Sequence, residues 1–188
     1  MRSYIKAMPK IELHRHLSGS LTGIEMFAVA EQIGVKPDAK SPEELNSKTS
    51  MNQGEQGFTV FLRKFQPRAM FYTDKRLIGA VTREAVKRAA EDNVIYYEIR
   101  FSASHFSRYK KFNMEETAEQ IISIAKDEAD SRNMDINFLM TLTRDIPFEE
   151  NTELVRIALE SDLKDHFAGI DIAGNELVYP LKELEQLI

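Results

Sequence analysis

The sequence lacks cysteine and tryptophan, and it has no long run of apolar residues. Without cysteine there is no disulfide framework, no thiolate-bound zinc cluster and no cysteine nucleophile. No apolar stretch approaches the roughly 18 residues that a transmembrane helix needs, and the opening residues MRSYIKAMPK lack the apolar core of a signal peptide. We therefore expect a cytoplasmic protein with no membrane partner.

Basic residues are fewer than acidic ones. Lys and Arg number 25 against 30 Asp and Glu, which gives a formal net charge of −5. This balance argues against a nucleic-acid backbone or an anionic membrane surface as the partner. The length of 188 residues suits one domain, or at most two small ones.

Strand-like and helix-like patterns alternate along the chain, which is typical of an α/β protein. Strands are predicted at residues 10–17, 94–101, 136–143 and 167–173. Helices are predicted at 22–33, from Ser41, at 58–65, 74–92, from Asn113, at 154–163 and 180–188, with a loop at 46–57. Strands joined by helices imply a parallel sheet. This pattern fits either a small open sheet or half of an eight-stranded barrel. A complete barrel of that kind needs about 250 residues.

His14 and His16 lie two positions apart in the first predicted strand, so both side chains project from one face. Such a pair can supply two nitrogen ligands to one zinc ion at the C-terminal end of the strand. The alternative is two surface or core histidines that are merely neighbours, because a His-x-His pair alone is a weak signal.

Charged residues in two later strands are further candidates. Glu98 and Arg100 share a face of the second strand and form either an internal ion pair or part of a site. Asp171 lies among apolar residues, where a lone carboxylate is costly, at the C-terminal end of the fourth strand. We consider these three as candidates to orient metal ligands. Gly174 follows, where a ligand can approach the backbone closely.

Other residues have a less definite interpretation. The helical spacing of Phe58, Phe61, Leu62 and Phe65 favours packing in the core over lining a pocket. His105 follows the second strand in a predicted polar loop and can approach a site. His166 precedes the fourth strand at the opposite end, so we predict that it packs.

Four segments resemble motifs of the adenosine deaminase family. They are MPKIELHRHLSGSL at 8–21, FLRKF at 61–65, YEIRFS at 97–102 and GIDIAGNE at 169–176. They occur in family order, which makes the combination far more specific than any single motif. The resemblance implies that residues 1–188 form the N-terminal half, about four βα units, of a TIM-type (β/α)₈ barrel with parallel strands. On this resemblance we expect the C-terminal half of that domain to lie outside this chain.

The resemblance also implies chemistry: the zinc-dependent hydrolysis of adenosine to inosine and ammonia. The matching pair, His14 and His16, would be two ligands of a single Zn²⁺ ion whose other ligands lie outside this chain. The family's third zinc histidine, its His-Ala-Gly-Glu motif, its second catalytic histidine and its Asp-Asp pair have no counterpart here. We therefore identify no catalytic residue, and His105 and His166 match none of those motifs.

For the substrate, a purine nucleoside or base, the resemblance implies contacts from Gly174 and from a hydrophobic mouth formed by Phe61, Leu62 and Phe65. Ser18 stands where the family usually has an acidic residue that contacts the sugar, so adenine or another aminopurine is an alternative substrate.

A half-barrel has open edges at its first and fourth strands, and we expect it to expose an apolar interior as well. It would then associate with itself or with a complementing C-terminal half. A non-catalytic half-barrel that pairs with another chain is the remaining alternative.

Overall fold

The computed structural model describes residues 2–108, 112–181 and 184–187. Four parallel strands pair in the order β1–β2–β3–β4. They are Lys10–His16 (β1), Val94–Phe101 (β2), Asp135–Thr143 (β3) and Phe167–Ala173 (β4). The predicted α/β class and parallel sheet are confirmed, and β1 and β4 are its two edges.

Eight α-helices lie in the described residues. They are Arg2–Ala7 (α1), Gly23–Gln32 (α2), Pro42–Thr49 (α3), Phe58–Arg63 (α4), Lys75–Glu91 (α5), Ala103–Ser107 (α6), Met114–Asp130 (α7) and Phe148–Leu159 (α8). Side-chain caps explain several starts, because Thr22, Ser41, Asp74 and Asn113 each accept a hydrogen bond from the first turn. Within the described chain no helix is long and apolar enough to cross a membrane.

Several predicted boundaries are wrong. The loop predicted at 46–57 begins later, because α3 continues to Thr49. Helix α8 begins at Phe148, six residues before the predicted start at 154, and ends at Leu159, before the predicted end at 163. Two glutamates lie in its first turn, where negative charge stabilises a helix. His105 lies in α6 and not in a loop. Of the helix predicted at 180–188, residues 182, 183 and 188 lie outside the described residues. Among the others, Leu181 and Glu185–Leu187 have 3₁₀ conformation, and none is in an α-helix.

One face of the sheet packs against the helices and forms the core. Alternate residues of the two central strands are buried there: Tyr97, Ile99, Phe101, Phe138, Met140 and Leu142. The residues between them face the other way, and many are polar: Tyr96, Glu98, Arg100, Asn137, Thr141 and Thr143. The expectation of an apolar interior is therefore wrong for the central strands.

Helices α2 and α3 approach each other closely at Gly23. A Cβ atom there would lie 2.4 Å from Asn46 Cα, so only glycine fits. The Gly23 N–H donates to Asn46 Oδ1 at 3.2 Å, which satisfies a free donor of the first turn of α2. This contact holds α3, and the segment leading to α4, beside the loop that follows β1.

Candidate active site

The histidine pair lies at the C-terminal end of β1. Glu12 pairs with Tyr97 and Arg15 with Ile99, so three steps along β1 match only two along β2. This mismatch is a β-bulge, and His14 lies in it. The two imidazole rings nevertheless lie together, with centroids 5.5 Å apart and planes inclined by 56°. The predicted juxtaposition of His14 and His16 is present in the structure.

Asp171 joins the histidine pair to the other strands. Its Oδ1 accepts from Arg100 Nη1 at 2.9 Å, and its Oδ2 accepts from Thr141 Oγ1 at 3.2 Å. His16 Nε2 lies 3.9 Å from the same Oδ2. Arg100 also donates from Nη2 to the backbone oxygen of Leu13 at 2.7 Å. One buried ion pair therefore links all four strands just below the histidines.

The electrostatics of His16 suit a metal ligand. Burial lowers the pKa of His16, Asp171 opposes that effect, and the charges of Arg100 and His14 add to it. The neutral imidazole is the form that binds metal. Two adjacent imidazoles, one of them kept neutral, therefore fit two positions of a zinc site. In the part of the chain that the structure describes, no group of three or more His, Cys, Asp and Glu residues could hold a metal ion.

Glu98 belongs to a different network from Arg100. The Tyr96 hydroxyl donates to Glu98 Oε1 at 2.8 Å and accepts from Asn137 Nδ2 at 3.0 Å. Arg100 takes Asp171 as its carboxylate partner instead. An ion pair between Glu98 and Arg100, one of the two sequence interpretations, is therefore not formed.

A cavity of about 400 Å³ opens beside His16. Phe61 and Phe65 line it, with their ring centroids 5.3 Å apart in an edge-to-face arrangement. No residue of α4 is buried, and Phe61 is 43% exposed. The interpretation of this aromatic segment as core is therefore wrong, because no residue of α4 is buried and both Phe61 and Phe65 flank a cavity. Leu62 and Phe58 do not line it.

Sequence reasoning missed Arg68, which lines the same cavity and is 7% exposed. Its Nη1 donates to the backbone oxygens of Ser18 and Leu21 at 3.2 and 2.8 Å, and its Nη2 donates to that of Thr49 at 3.1 Å. A single guanidinium thus ties the loop after His16 to the end of α3. An arginine directly before the run AMFY was the only sequence signal for it.

Four candidates remain, namely Ser18, Gly174, His105 and His166. Ser18 is in the 3₁₀ helix Leu17–Gly19, where its backbone accepts from Arg68. Gly174 follows β4 with φ of 108°. Burial lowers the pKa of His105, with Asp145 opposing that effect. His166 is half-buried in the 3₁₀ helix before β4, and its Nδ1 lies 3.4 Å from Lys126 Nζ.

The family model for adenosine deaminase matches residues 9–187. This chain belongs to the adenosine deaminase family. An adenosine deaminase from Lactococcus lactis is 28% identical over 187 residues, which are 98% of this chain and 51% of that protein. The chain spans about half the length of the curated relatives it matches.

Solved structures show the same fold relationship. A zinc-bound amidohydrolase from Burkholderia ambifaria matches with a TM-score of 0.79 and 19% identity over 99% of this chain and 50% of that one. An adenine deaminase from Arthrobacter aurescens matches with a TM-score of 0.79 and 22% identity, over 96% of this chain and 53% of that one. The four parallel strands therefore correspond to about half of a TIM-barrel deaminase structure.

Proposed function

We propose that this chain supplies the first metal-binding strand and the purine cavity of a zinc-dependent deaminase that hydrolyses adenosine to inosine and ammonia. The observation that carries the proposal is the pair of adjacent imidazoles of His14 and His16, held beside the cavity by the Asp171–Arg100 ion pair. Membership of the adenosine deaminase family supports it.

His14 and His16 would hold the zinc ion, and its remaining ligands would come from a C-terminal half. Bound there, zinc supplies the Lewis acidity that lowers the pKa of a water molecule and makes it a nucleophile near neutral pH. Asp171 limits the motion of the His16 ring, as carboxylates near metal-binding histidines commonly do. Glu98 is more remote, through its bond with Tyr96, and stabilises the same sheet face.

The substrate would lie in the cavity next to His16. Phe61 and Phe65 provide flat apolar surfaces against which a purine can pack and from which water is excluded. Leu62 would join this rim only if α4 moved. Gly174, which has no side chain at the end of β4, would let the purine approach the backbone. No described residue is assigned as the acid that protonates the ring nitrogen.

Adenine is the second candidate substrate, and the neutral side chain of Ser18 favours it. A carboxylate at this position would accept hydrogen bonds from sugar hydroxyls and so favour a nucleoside. Serine forms weaker, uncharged hydrogen bonds. The ratio of kcat/KM for adenosine and adenine decides between the two candidates.

The partner we propose is a complementing C-terminal half, with self-association as the alternative. Ile11 and Leu13 on the open β1 edge are 63% and 53% exposed. An unpaired edge with exposed aliphatic side chains is a surface that another strand can cover. A half-barrel that pairs without catalysis would use the same edge.

The test is co-expression of this chain with the C-terminal half of the Lactococcus lactis adenosine deaminase, followed by an ammonia-release assay with zinc. We expect deamination that is lost in His16→Ala and retained in His166→Ala, since His166 lies away from the site. An assembled, zinc-loaded complex that releases no ammonia from adenosine or adenine would contradict the proposal and favour the non-catalytic half-barrel.

A further inference from the structure

The β-bulge in β1 decides which face of the sheet the histidine pair occupies. Before the bulge Glu12 is aligned with Tyr97, and after it His16 is aligned with Arg100. Aligned residues of neighbouring parallel strands lie on the same face of a sheet. Tyr97 is buried in the helix-covered core, whereas Arg100 lies on the opposite face. The strand therefore changes face between Glu12 and His16.

A regular strand would place both histidines on the wrong face. Without the extra residue in β1, His14 would be aligned with Ile99. His16 would be aligned with Phe101, and both of these partners are buried in the core. A one-residue shift of register moves every later side chain to the other face. The imidazoles would then lie on the helix side of the sheet, away from Asp171.

Side chains hold both polar groups of the peptide bond inside the bulge. The carbonyl oxygen of Leu13 accepts from Arg100 Nη2 at 2.7 Å, and the N–H of His14 donates to Glu12 Oε1 at 3.0 Å. The second oxygen of the same carboxylate accepts from Arg15 Nη2 at 3.1 Å, which fixes its orientation. A bulge interrupts the hydrogen bonds between strands, so its backbone groups need other partners. Glu12 and Arg100 supply them.

We propose that Glu12 is a positioning residue of the metal site, because its carboxylate stabilises the bulge that places His14 and His16 on the same face as Asp171. The inference rests on the proposed function, which makes the two histidines metal ligands. It deepens that function by adding a residue that acts through the backbone of His14 and not by contact with metal or substrate. Arg100 holds the same peptide bond, but it also pairs with Asp171, so Glu12 is the residue that tests the bulge separately.

Zinc titration by calorimetry and amide hydrogen exchange by NMR, both on the 188-residue chain, test the proposal. Glu12→Ala should weaken zinc binding by about tenfold, the lower end of the loss seen when a group that orients a metal ligand is removed. In the metal-free chain the His14 amide should exchange with water about tenfold faster, because a charged hydrogen-bond acceptor is lost. The amides of Phe138 and Met140 in β3 should keep their exchange rates.

The conservative variant Glu12→Gln separates the hydrogen bond to the His14 N–H from the charge. Its amide oxygen can still accept from that N–H. Zinc affinity and His14 amide exchange should therefore stay within about threefold of the unmodified chain. Glu91→Ala is the matched control, because Glu91 also pairs with a basic residue, Lys87 at 3.9 Å, but lies at the end of α5. It should change neither quantity.

Unchanged zinc affinity or unchanged His14 amide exchange in Glu12→Ala would overturn the proposal. A loss in Glu12→Gln as large as in Glu12→Ala would also overturn it, since the charge would then carry the effect. Faster exchange of the Phe138 and Met140 amides would show general destabilisation instead of positioning. Absence of zinc binding by the unmodified chain would contradict the proposed metal site as well, whereas equal zinc binding by Glu12→Ala would contradict only the role of Glu12.

Discussion

Replacing Asp171 with asparagine is expected to destabilise the chain by about 3 kcal/mol, the lower end for breaking a buried ion pair. The side chains of Arg100 and Asp171 are 7% and 15% exposed, and their charged atoms are 2.9 Å apart. Asparagine keeps the shape and can still accept from Thr141, but it leaves the buried guanidinium without a counter-charge. The larger part of the cost is therefore the unpaired Arg100.

The assay is urea unfolding, with the free energy of unfolding compared at equal m-values. Asp92→Asn is the control, because Asp92 also pairs with a basic residue, Lys10, but its side chain is 62% exposed. A solvent-exposed pair contributes less than about 1 kcal/mol. Equal losses in the two variants would refute the view that the Asp171–Arg100 pair is a buried organiser of the four strands.

Three other contacts give further expected outcomes. Arg68→Met should lower the free energy of urea unfolding by about 3 kcal/mol, because three backbone oxygens lose a buried charged donor. The control Arg63→Met, at an exposed residue, should lower it by less than about 0.5 kcal/mol. Equal losses in the two variants would speak against the anchoring role of Arg68. Gly174→Ala should lower the free energy of unfolding by about 1–2 kcal/mol. The reason is that φ of Gly174 is 108° and the new Cβ would lie 3.1 Å from Arg144 N. An unchanged melting temperature would exclude this strain. The pKa of His105 lies below 6.5 through burial, so the unfolded chain binds more protons and stability falls as the pH drops below about 6.5. His105→Asn should reduce that slope in pH-dependent unfolding, and an unchanged slope would show that His105 does not contribute.

The fold could be predicted where the sequence signal is local. The bounds of β2 follow from a run of β-branched and aromatic residues that ends at Ser102, and those of β4 follow from Phe167, Ile170 and Ile172 before Gly174. The start of α3 follows from Ser41 and Pro42, which satisfy and preorganise the first turn. The sequence does not reveal the start of α8, because Phe148 is the only apolar residue in its first six positions and the helical apolar spacing begins only at Leu154.

The site could be predicted only in part, for a related reason. His14, His16 and Asp171 were identified because strand alternation and strand ends are local properties. The cavity is formed by the loop after β1, the end of α3 and the segment from α4 to Arg68, and no local pattern reports their meeting. Helical spacing also predicted burial for Phe61, but α4 is too short to pack a complete face into the core.

Zinc binding to the isolated chain tests the assignment of the histidine pair most directly. Calorimetric titration should show one zinc ion bound more weakly than in a complete four-ligand site, because only two ligands are present. The His14→Ala/His16→Ala double variant should lose this binding, while His166→Ala should keep it. Absence of zinc binding to the unmodified chain, or equal zinc binding by the double variant, would contradict a metal site at His14 and His16.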